Sequence, residues 1–250
     1  MLAEKREVRR FAAMWFSSPA QSRRFFRPTR AAGWLTLALL LPSCASIADV
    51  ATSAPTVWSL DNLKQIGGQA PLIEGAPKVV REKSGAASIV FDGKADALVL
   101  PVNPIEGWSQ FTIEILFSPA TDGQMEQRFF HVQDNAGGRG LIELRLDGEG
   151  KWWLDTFLKP ATAPGVTLID PKKTHPAGRW YWAALRYDGK HMTSFVNGEK
   201  ELEGELNFPA LGAGQASIGV RLTRISWFKG AIREVRFHPV ALASEKLQRL

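Results

Sequence analysis

Residues that can bind or transform a polar ligand recur at every second position along four neighbouring β-rich runs, 111–118, 128–133, 141–146 and 151–159. Period-two alternation sends successive side chains to opposite faces of a sheet, so that one face packs on the core and the other is polar. If the four runs form a meander, their polar faces join in one stripe. The stripe would comprise Glu114, His131, Gln133, Glu143, Arg145, Trp153 and Asp155. A flat aromatic ring beside polar groups suits the binding of a sugar, and we predict a ligand site here.

His131 is the titratable group of most interest in this stripe. An imidazole beside Glu114 or Glu143 can titrate near neutral pH and act as an acid or a base. The alternative is a half-buried histidine that is hydrogen-bonded on a polar strand face. The chain has four histidines, and no two of them have the spacing of metal ligands.

A second candidate site is the loop 91–96, in which Asp92 and Asp96 could supply two carboxylates to a calcium ion. The alternative is an Asx-type turn that precedes a strand. Cys44 is the only cysteine, so disulfides and thiolate metal sites within the chain are excluded. We therefore expect no cofactor, with calcium as the one metal that these residue types allow.

The first 48 residues differ in composition from the rest. They carry the whole net charge of +6, so residues 49–250 are neutral and the basic pI gives no indication of nucleic-acid binding. A basic region, an apolar run at 31–41 and a small-residue segment at 42–48 are typical of an export signal. The apolar run is shorter than the roughly 20 residues of a spanning helix. We predict an exported protein, located in the periplasm, in the outer membrane as a lipoprotein, or outside the cell.

Two short motifs bear on the route of export. Residues 22–26, Ser-Arg-Arg-Phe-Phe, resemble the twin-arginine export motif. Residues 41–44, Leu-Pro-Ser-Cys, resemble a bacterial lipobox, which implies acylation of Cys44 and contact with a membrane through a lipid anchor alone. Ordinary cleavage after Ala48 is the alternative.

The rest of the chain is predicted to contain a short tether (49–55), one domain (56–240) and a C-terminal tail (241–250). Twelve β-rich runs separated by Gly, Pro and Asp, with little helical pattern, favour an all-β, two-sheet antiparallel sandwich. The runs lie at 78–81, 88–92, 97–100, 111–118, 128–133, 141–146, 151–159, 166–169, 180–187, 192–196, 215–220 and 231–237. A length of about 200 residues suits one such domain.

The region 178–239 carries the most specific pattern. Two β-rich runs flank Asp188-Gly189, and a second turn follows at Asn197-Gly198; both dipeptides tolerate the positive φ of tight hairpins. A tryptophan, an apolar run, Asp-Gly, a strand ending in Asn-Gly, Ser-Ile-Gly and Gly-x-Ile-x-Glu-Val-Arg-Phe follow in that order. This order resembles the laminin-G-like, concanavalin A-like jelly rolls of bacterial secreted proteins over about residues 55–240. The resemblance implies a jelly roll, and members of this superfamily commonly bind sugar on a concave sheet.

From the resemblance and the polar stripe we predict a non-catalytic domain that binds a carbohydrate or a protein partner at the cell envelope. The superfamily also contains polysaccharide-cleaving enzymes. The β-glucanase pattern Glu-x-Asp-x-x-Glu is absent from this sequence, and the runs 131–133 and 143–145 match lyase motifs only in part. A lyase or glycoside hydrolase that uses the same sheet face is one alternative, and a structural envelope protein without a ligand is the other.

Overall fold

The computed structural model of the protein describes residues 54–250. The predicted export signal, Cys44 and most of the predicted tether lie outside the described residues. Sixteen β-strands and one 3₁₀ turn, Ser244–Lys246, form the regular structure of the described chain, in which no helix is long and apolar enough to cross a membrane. The strands are β1 (Thr56–Ser59), β2 (Leu72–Glu74), β3 (Lys78–Arg81), β4 (Ala87–Asp92), β5 (Ala97–Leu100), β6 (Phe111–Pro119), β7 (Glu126–Asp134), β8 (Arg139–Leu146), β9 (Lys151–Lys159), β10 (Val166–Ile169), β11 (His175–Pro176), β12 (Tyr181–Tyr187), β13 (His191–Val196), β14 (Glu199–Glu205), β15 (Gly214–Ile218) and β16 (Lys229–His238).

The strands form two antiparallel sheets of eight strands each. In the first sheet the order is β14-β13-β12-β6-β16-β4-β3, and β1 pairs with β16. In the second sheet the order is β10-β9-β8-β7-β15-β5-β2, and β11 pairs with β9. This architecture confirms the predicted all-β, two-sheet antiparallel sandwich.

The core lies between the inward faces of the two sheets. Alternate residues of β6, from Phe111 through Ile113 and Ile115 to Phe117, are buried there, as the period-two pattern predicts. Phe129 of the second sheet stacks on Phe117 with ring centroids 4.4 Å apart. Each fully buried side chain of this size contributes about 1.5–3 kcal/mol. A one-residue register slip would turn several of these side chains outward, and the contribution of each would be lost. The face that each strand presents outward is therefore fixed.

Both predicted hairpin turns are present in the first sheet. Asn197 and Gly198 join β13 to β14 with φ of 47° and 74°, the positive values that a two-residue hairpin turn requires. Asp188 and Gly189 join β12 to β13, and Asp188 Oδ1 accepts a hydrogen bond of 2.8 Å from the backbone N–H of Lys190. The two hairpins predicted from the pattern at 178–239 are therefore formed by paired strands.

The predicted meander is right for three strands and wrong for the fourth. β7, β8 and β9 are consecutive neighbours in the second sheet, whereas β6 lies in the first sheet between β12 and β16. The outward face of β6 is covered by the C-terminal segment: Thr112 Oγ1 donates to the carbonyl of Val240 at 2.9 Å, and Leu242 N donates back to Thr112 Oγ1 at 2.9 Å. Leu242 and Leu247 add apolar contacts on the same face. Residues 241–250 are thus packed against the sandwich.

Candidate ligand-binding site

Three neighbouring strands of the second sheet, β7, β8 and β9, form a polar groove on their outward face. This groove, called the charged groove below, has a volume of about 200 Å³. Its lining consists of Arg128, Arg139, Leu141, Glu143, Arg145, Asp155, Phe157, Thr167 and Arg221. On β8 the lining residues alternate with the core residues Ile142 and Leu144. The alternation that builds the core therefore also brings these polar side chains together.

A β-bulge in β7 places Arg128 in the charged groove. The pairing of β7 with β8 shifts between Arg128, which lies opposite Glu143, and Phe130, which lies opposite Ile142. Phe129 is the extra residue at the bulge, and both phenylalanines are fully buried. Because a bulge changes the face to which the strand's residues point, Arg128 lies beside Glu143 instead of in the core.

Two carboxylates, those of Glu143 and Asp155, lie directly opposite each other on β8 and β9. Arg128 Nε donates a hydrogen bond of 2.9 Å to Glu143 Oε1. Arg145 Nη2 lies 2.6 Å from Asp155 Oδ2 and 3.7 Å from Glu143 Oε2. Glu126, at the rim, contacts both arginines. Arg128 and Arg145 thus compensate the two buried carboxylates.

Burial sets the protonation of these carboxylates. Burial and, second, the neighbouring Asp155 raise the pKa of Glu143 to about 7, while Arg128 acts in the opposite direction. Burial also raises the pKa of Asp155, against the lowering effect of Arg145. Removing a charge from water raises both pKa values, and the like charge of Asp155 adds to the shift of Glu143 alone. Glu143 can therefore gain or lose a proton near neutral pH.

The other two arginines of the charged groove, Arg139 and Arg221, form no salt bridge with a carboxylate of residues 54–250. The guanidinium carbon of Arg139 lies 5.6 Å from the centroid of the Phe157 ring. Burial lowers the pKa of Arg221, and the positive charges of Arg139 and Arg128 lower it further. With four guanidinium groups and two carboxylates, the lining has an excess of positive charge.

Arg221 is held in place by the loop 219–228. Leu222 N donates a hydrogen bond of 3.0 Å to His131 Nδ1, and Arg128 N donates one of 2.8 Å to the carbonyl of Ser226. The Arg128 guanidinium also contacts Ser226 Oγ. Ser226 has a φ of 58°, which is unfavourable for a residue other than glycine and persists because the surrounding contacts fix it. The loop is therefore a fixed wall of the charged groove.

Besides Arg145 Nη1, which lies 3.0 Å from Glu126 Oε1, three buried polar atoms of the charged groove have no hydrogen-bond partner within the described chain: Asp155 Oδ1, Arg139 Nε and Arg221 Nε. The side chain of Asp155 is only 2% exposed. An unpartnered buried polar atom costs on the order of 1–3 kcal/mol, and such atoms are uncommon in proteins. The charged groove thus offers a polar molecule one acceptor and two donors.

Three of the seven predicted stripe residues, Glu143, Arg145 and Asp155, line the charged groove together. Trp153 adjoins the groove without lining it: it lies on β9 directly opposite Arg145, half-buried and outside the core. Trp152, its neighbour in sequence, is fully buried. The two tryptophans therefore take opposite faces, as expected in a strand.

Two predicted stripe residues lie elsewhere. The placement of Glu114 on this face is wrong, because β6 belongs to the first sheet; Glu114 Oε2 lies 2.9 Å from His238 Nε2, and its Oε1 accepts a hydrogen bond of 2.7 Å from Gln248 N. Gln133 lines a second groove of about 340 Å³, together with Gln215 and residues 222–224 of the loop described above. The stripe is thus divided between two sheets and two grooves.

His131 is fully buried on β7. Since its Nδ1 accepts the hydrogen bond from Leu222 N, the neutral ring carries its proton on Nε2, which has no partner in the described chain. Burial and, second, the charge of Arg221 lower the pKa of His131 to about 3. Of the two alternatives for His131, the hydrogen-bonded histidine agrees with this geometry, except that the ring is fully buried and not half-buried; its lowered pKa disfavours titration near neutrality.

The loop 91–96 has the geometry of an Asx turn. Asp92 Oδ1 accepts hydrogen bonds from the backbone N–H groups of Lys94, Ala95 and Asp96 at 2.8–3.1 Å. Asp96 Oδ1 accepts a hydrogen bond of 2.7 Å from Ala76 N, and its Oδ2 accepts one of 3.1 Å from Asp92 N. Within residues 54–250 no group of three His, Cys, Asp or Glu residues is arranged to hold a metal ion. The two loop carboxylates accept hydrogen bonds from the backbone. Calcium binding at this loop stays a prediction.

Six residues that line the charged groove were not predicted from the sequence. Arg139, Leu141 and Phe157 are in phase with the predicted residues on β8 and β9, so the alternation could have identified them. Arg128 and Arg221 could not be found in this way, because one depends on the bulge and the other on a distant loop. The sixth, Thr167, lies opposite Phe157 on the edge strand β10.

A sequence comparison decides the family of this chain. Residues 92–248 match the family model described as the concanavalin A-like lectin/glucanases superfamily. The chain belongs to this superfamily. The resemblance inferred from residues 178–239 is confirmed, and the sandwich is a jelly roll of the concanavalin A-like type. No sequence among the curated proteins matches this superfamily member significantly.

Solved structures of similar fold include a domain of an extracellular arabinanase and the binding domains of two other proteins. Domain 4 of AbnA, a GH43 extracellular arabinanase from Geobacillus stearothermophilus, in complex with arabinotriose, is 20% identical with a TM-score of 0.59, over 78% of this chain and 97% of that domain. The binding domain of Paraclostridial Mosquitocidal Protein 1 is 13% identical with a TM-score of 0.60, over 77% of this chain. The botulinum neurotoxin serotype D binding domain is 12% identical with a TM-score of 0.56. This chain spans about half the length of the two toxin domains. These similarities show the fold alone.

Proposed function

We propose that this protein is a non-catalytic carbohydrate-binding domain and that its charged groove holds the glycan. The observation that carries the proposal is the set of buried, unpartnered polar atoms, Asp155 Oδ1, Arg139 Nε and Arg221 Nε, on a preformed groove. Sugar hydroxyl groups both donate and accept hydrogen bonds, so they match a site that presents donors and an acceptor side by side.

The fold comparison supports the same proposal. The arabinanase domain with bound arabinotriose is almost completely covered by this chain, so a single sandwich of this size serves there in an oligosaccharide complex. Half-buried Trp153 and Phe157, beside and within the groove, supply apolar ring surface for the C–H faces of a sugar. A protein partner on the same face is the alternative ligand.

A substitution that fills the groove tests the proposal. Thr167 is exposed at the groove wall, so Thr167→Trp adds a large side chain there at little cost in stability. Val80→Trp is the matched control, because Val80 is an exposed strand residue (45%) of the first sheet. On a panel of immobilised polysaccharides, the wild-type protein and Val80→Trp should bind the same glycans, and Thr167→Trp should lose that binding.

The outcome separates the alternatives. Equal binding by Thr167→Trp and the wild-type protein would move the glycan away from the charged groove. Binding of no glycan by the wild-type protein would contradict the proposal and leave a protein partner or a purely structural role.

Catalysis is the second candidate function, and the pair Glu143 and Asp155 favours it. The two side chains lie directly opposite on antiparallel strands, and a retaining glycosidase uses two neighbouring carboxyl groups. A Glu143 pKa of about 7 suits a general acid. Against it, each carboxylate is bound by an arginine. Release of reducing ends or unsaturated products from the bound polysaccharide, abolished by Glu143→Gln, would establish an enzyme.

We also propose that the protein is exported and acts at the envelope or outside the cell. The basic and apolar leader at 1–48 supports export, and the lipobox-like residues 41–44 support a lipid anchor on Cys44. We propose further that glycan binding needs no metal ion, because the carboxylates of Asp92 and Asp96 already accept backbone hydrogen bonds. A chelator should therefore leave binding unchanged.

A further inference from the structure

We infer that the glycan is acidic, and that Arg139 and Arg221 bind a carboxylate or sulfate group on it. This inference rests on the proposed function and specifies the class of its ligand. It follows from the distribution of charge within the charged groove, where the four arginines fall into two kinds.

The first two arginines are compensated within the protein. Arg128 donates to Glu143 at 2.9 Å, and Arg145 lies 2.6 Å from Asp155, so neither needs a ligand to balance its charge. Arg139 and Arg221 form no salt bridge within residues 54–250, although both are partly buried and both have an unpartnered Nε. The excess positive charge of the groove therefore lies on this second pair.

Two uncompensated guanidinium groups in one groove are electrostatically unfavourable. Their charges add to that of Arg128; after burial, the charges of Arg139 and Arg128 lower the pKa of Arg221, and Glu143 acts in the opposite direction. Desolvated charges are stable only when they are paired. An anion bound to both groups would supply the pairing, and the planar guanidinium matches the geometry of carboxylate and sulfate oxygens.

The charged groove also contains a hydrogen-bond acceptor, which a simple anion does not use. Asp155 Oδ1 is buried and without a partner in the described chain, and it can accept a hydrogen bond from a hydroxyl group but would repel a bare anion. Donors for an anion and an acceptor for a hydroxyl therefore line one groove. A sugar that carries both an acidic group and free hydroxyl groups can pair with the arginines and donate a hydrogen bond to Asp155. Inorganic sulfate can only pair with the arginines.

Calorimetric titration with paired probes tests the inference. Oligogalacturonate is compared with its methyl ester, which removes the charge and keeps the sugar, and sulfated dextran oligosaccharides are compared with unsulfated ones. The variants are Arg139→Gln and Arg221→Gln, with Arg249→Gln as the control, because Arg249 pairs with Glu199 at the edge of the first sheet. Inorganic sulfate serves as the probe for a simple anion site.

We expect at least one acidic oligosaccharide to bind about tenfold or more tightly than its neutral counterpart. Arg139→Gln and Arg221→Gln should each remove about that factor, and Arg249→Gln should not. Whether the uronate or the sulfated probe binds identifies the acidic group. The inference would be overturned if acidic and neutral probes bound equally, or if inorganic sulfate bound as tightly as the oligosaccharides. In either case Thr167→Trp would still test the proposed function. Binding of no glycan would overturn both.

Discussion

Glu143 and Asp155 face each other across β8 and β9, and the guanidinium group of Arg145 lies 3.7 Å from the first carboxylate and 2.6 Å from the second. This arrangement concentrates two buried carboxylates at the point where the groove is lined by arginines. The stability of the protein therefore depends on pH, mainly through Glu143 and His131, whose pKa values are shifted most.

The first prediction concerns this pH dependence. The pKa of Glu143 is raised from 4.5 to about 7, so its contribution to stability is fully present below 4.5 and is lost as the pH rises through 7. The raised pKa of Asp155 acts in the same direction. The pKa of His131 is lowered from 6.5 to about 3, so its contribution is present above 6.5 and is lost as the pH falls toward 3.

Chemical denaturation at a series of pH values measures the balance. In the wild-type protein the free energy of unfolding should rise slightly as the pH falls from about 8 to 6.5 and stay nearly level down to about 4.5, because the two effects oppose each other there. Below about pH 4 it should decline, because the carboxyl groups no longer oppose the loss from His131. In Glu143→Gln the initial rise should be much reduced and stability should decline below about pH 6.5. The same profile in both proteins would show that Glu143 does not titrate as described.

The second prediction compares two adjacent tryptophans. Trp152→Ala removes a fully buried ring and should lower the free energy of unfolding by about 3–5 kcal/mol. Trp153→Ala removes a half-buried ring outside the core, so it should cost about 1 kcal/mol or less and weaken glycan binding. Thermal melts and glycan titrations on both variants measure this. A large loss of stability in Trp153→Ala would place that ring in the core and leave it without a role in binding.

The third prediction separates Glu114 from the ligand site. Glu114 is buried in the first sheet and accepts a hydrogen bond from Gln248 N of the C-terminal segment, so Glu114→Ala should destabilise the fold by on the order of 1–3 kcal/mol. Glycan affinity measured well below the melting temperature should not change, because the charged groove lies on the other sheet. A selective loss of affinity with normal stability would return Glu114 to the site.

The fourth prediction concerns Cys44, which lies outside the described residues. If its thiol is acylated, Cys44→Ala should move the protein from the membrane fraction to the soluble fraction and leave its circular dichroism and melting temperature unchanged. Fractionation and mass spectrometry of the N-terminal peptide measure this. Unchanged partitioning would favour ordinary cleavage after Ala48.

Much of the fold could be predicted because strand signals are local. β3, β5, β9 and β10 begin and end at the predicted residues, since apolar alternation and turn residues mark both ends. β14 was missed: its sequence, Glu-Lys-Glu-Leu-Glu-Gly-Glu, has no apolar alternation, because it is an edge strand that pairs with β13 alone. Charged side chains on an edge strand discourage pairing with other chains, so its composition reflects its position.

The site could be predicted only where it depends on alternation. Glu143, Arg145 and Asp155 were found because period two places them opposite the core. Glu114 has the same alternation, but nothing in the alternation says to which sheet β6 belongs. Arg128 reaches the groove through a bulge at Phe129, and Arg221 arrives on a loop about 80–90 residues away in sequence; both are properties of the folded chain.

The most direct test of the central claim is the crystal structure of the protein with an oligosaccharide that it binds on the polysaccharide panel. We predict a sugar ring in the charged groove, with one hydroxyl group within hydrogen-bond distance of Asp155 Oδ1 and the guanidinium groups of Arg139 and Arg221 on the same ligand. A sugar bound in the second groove beside Gln133, or on the loop at Asp92, with the charged groove free of sugar, would contradict the account.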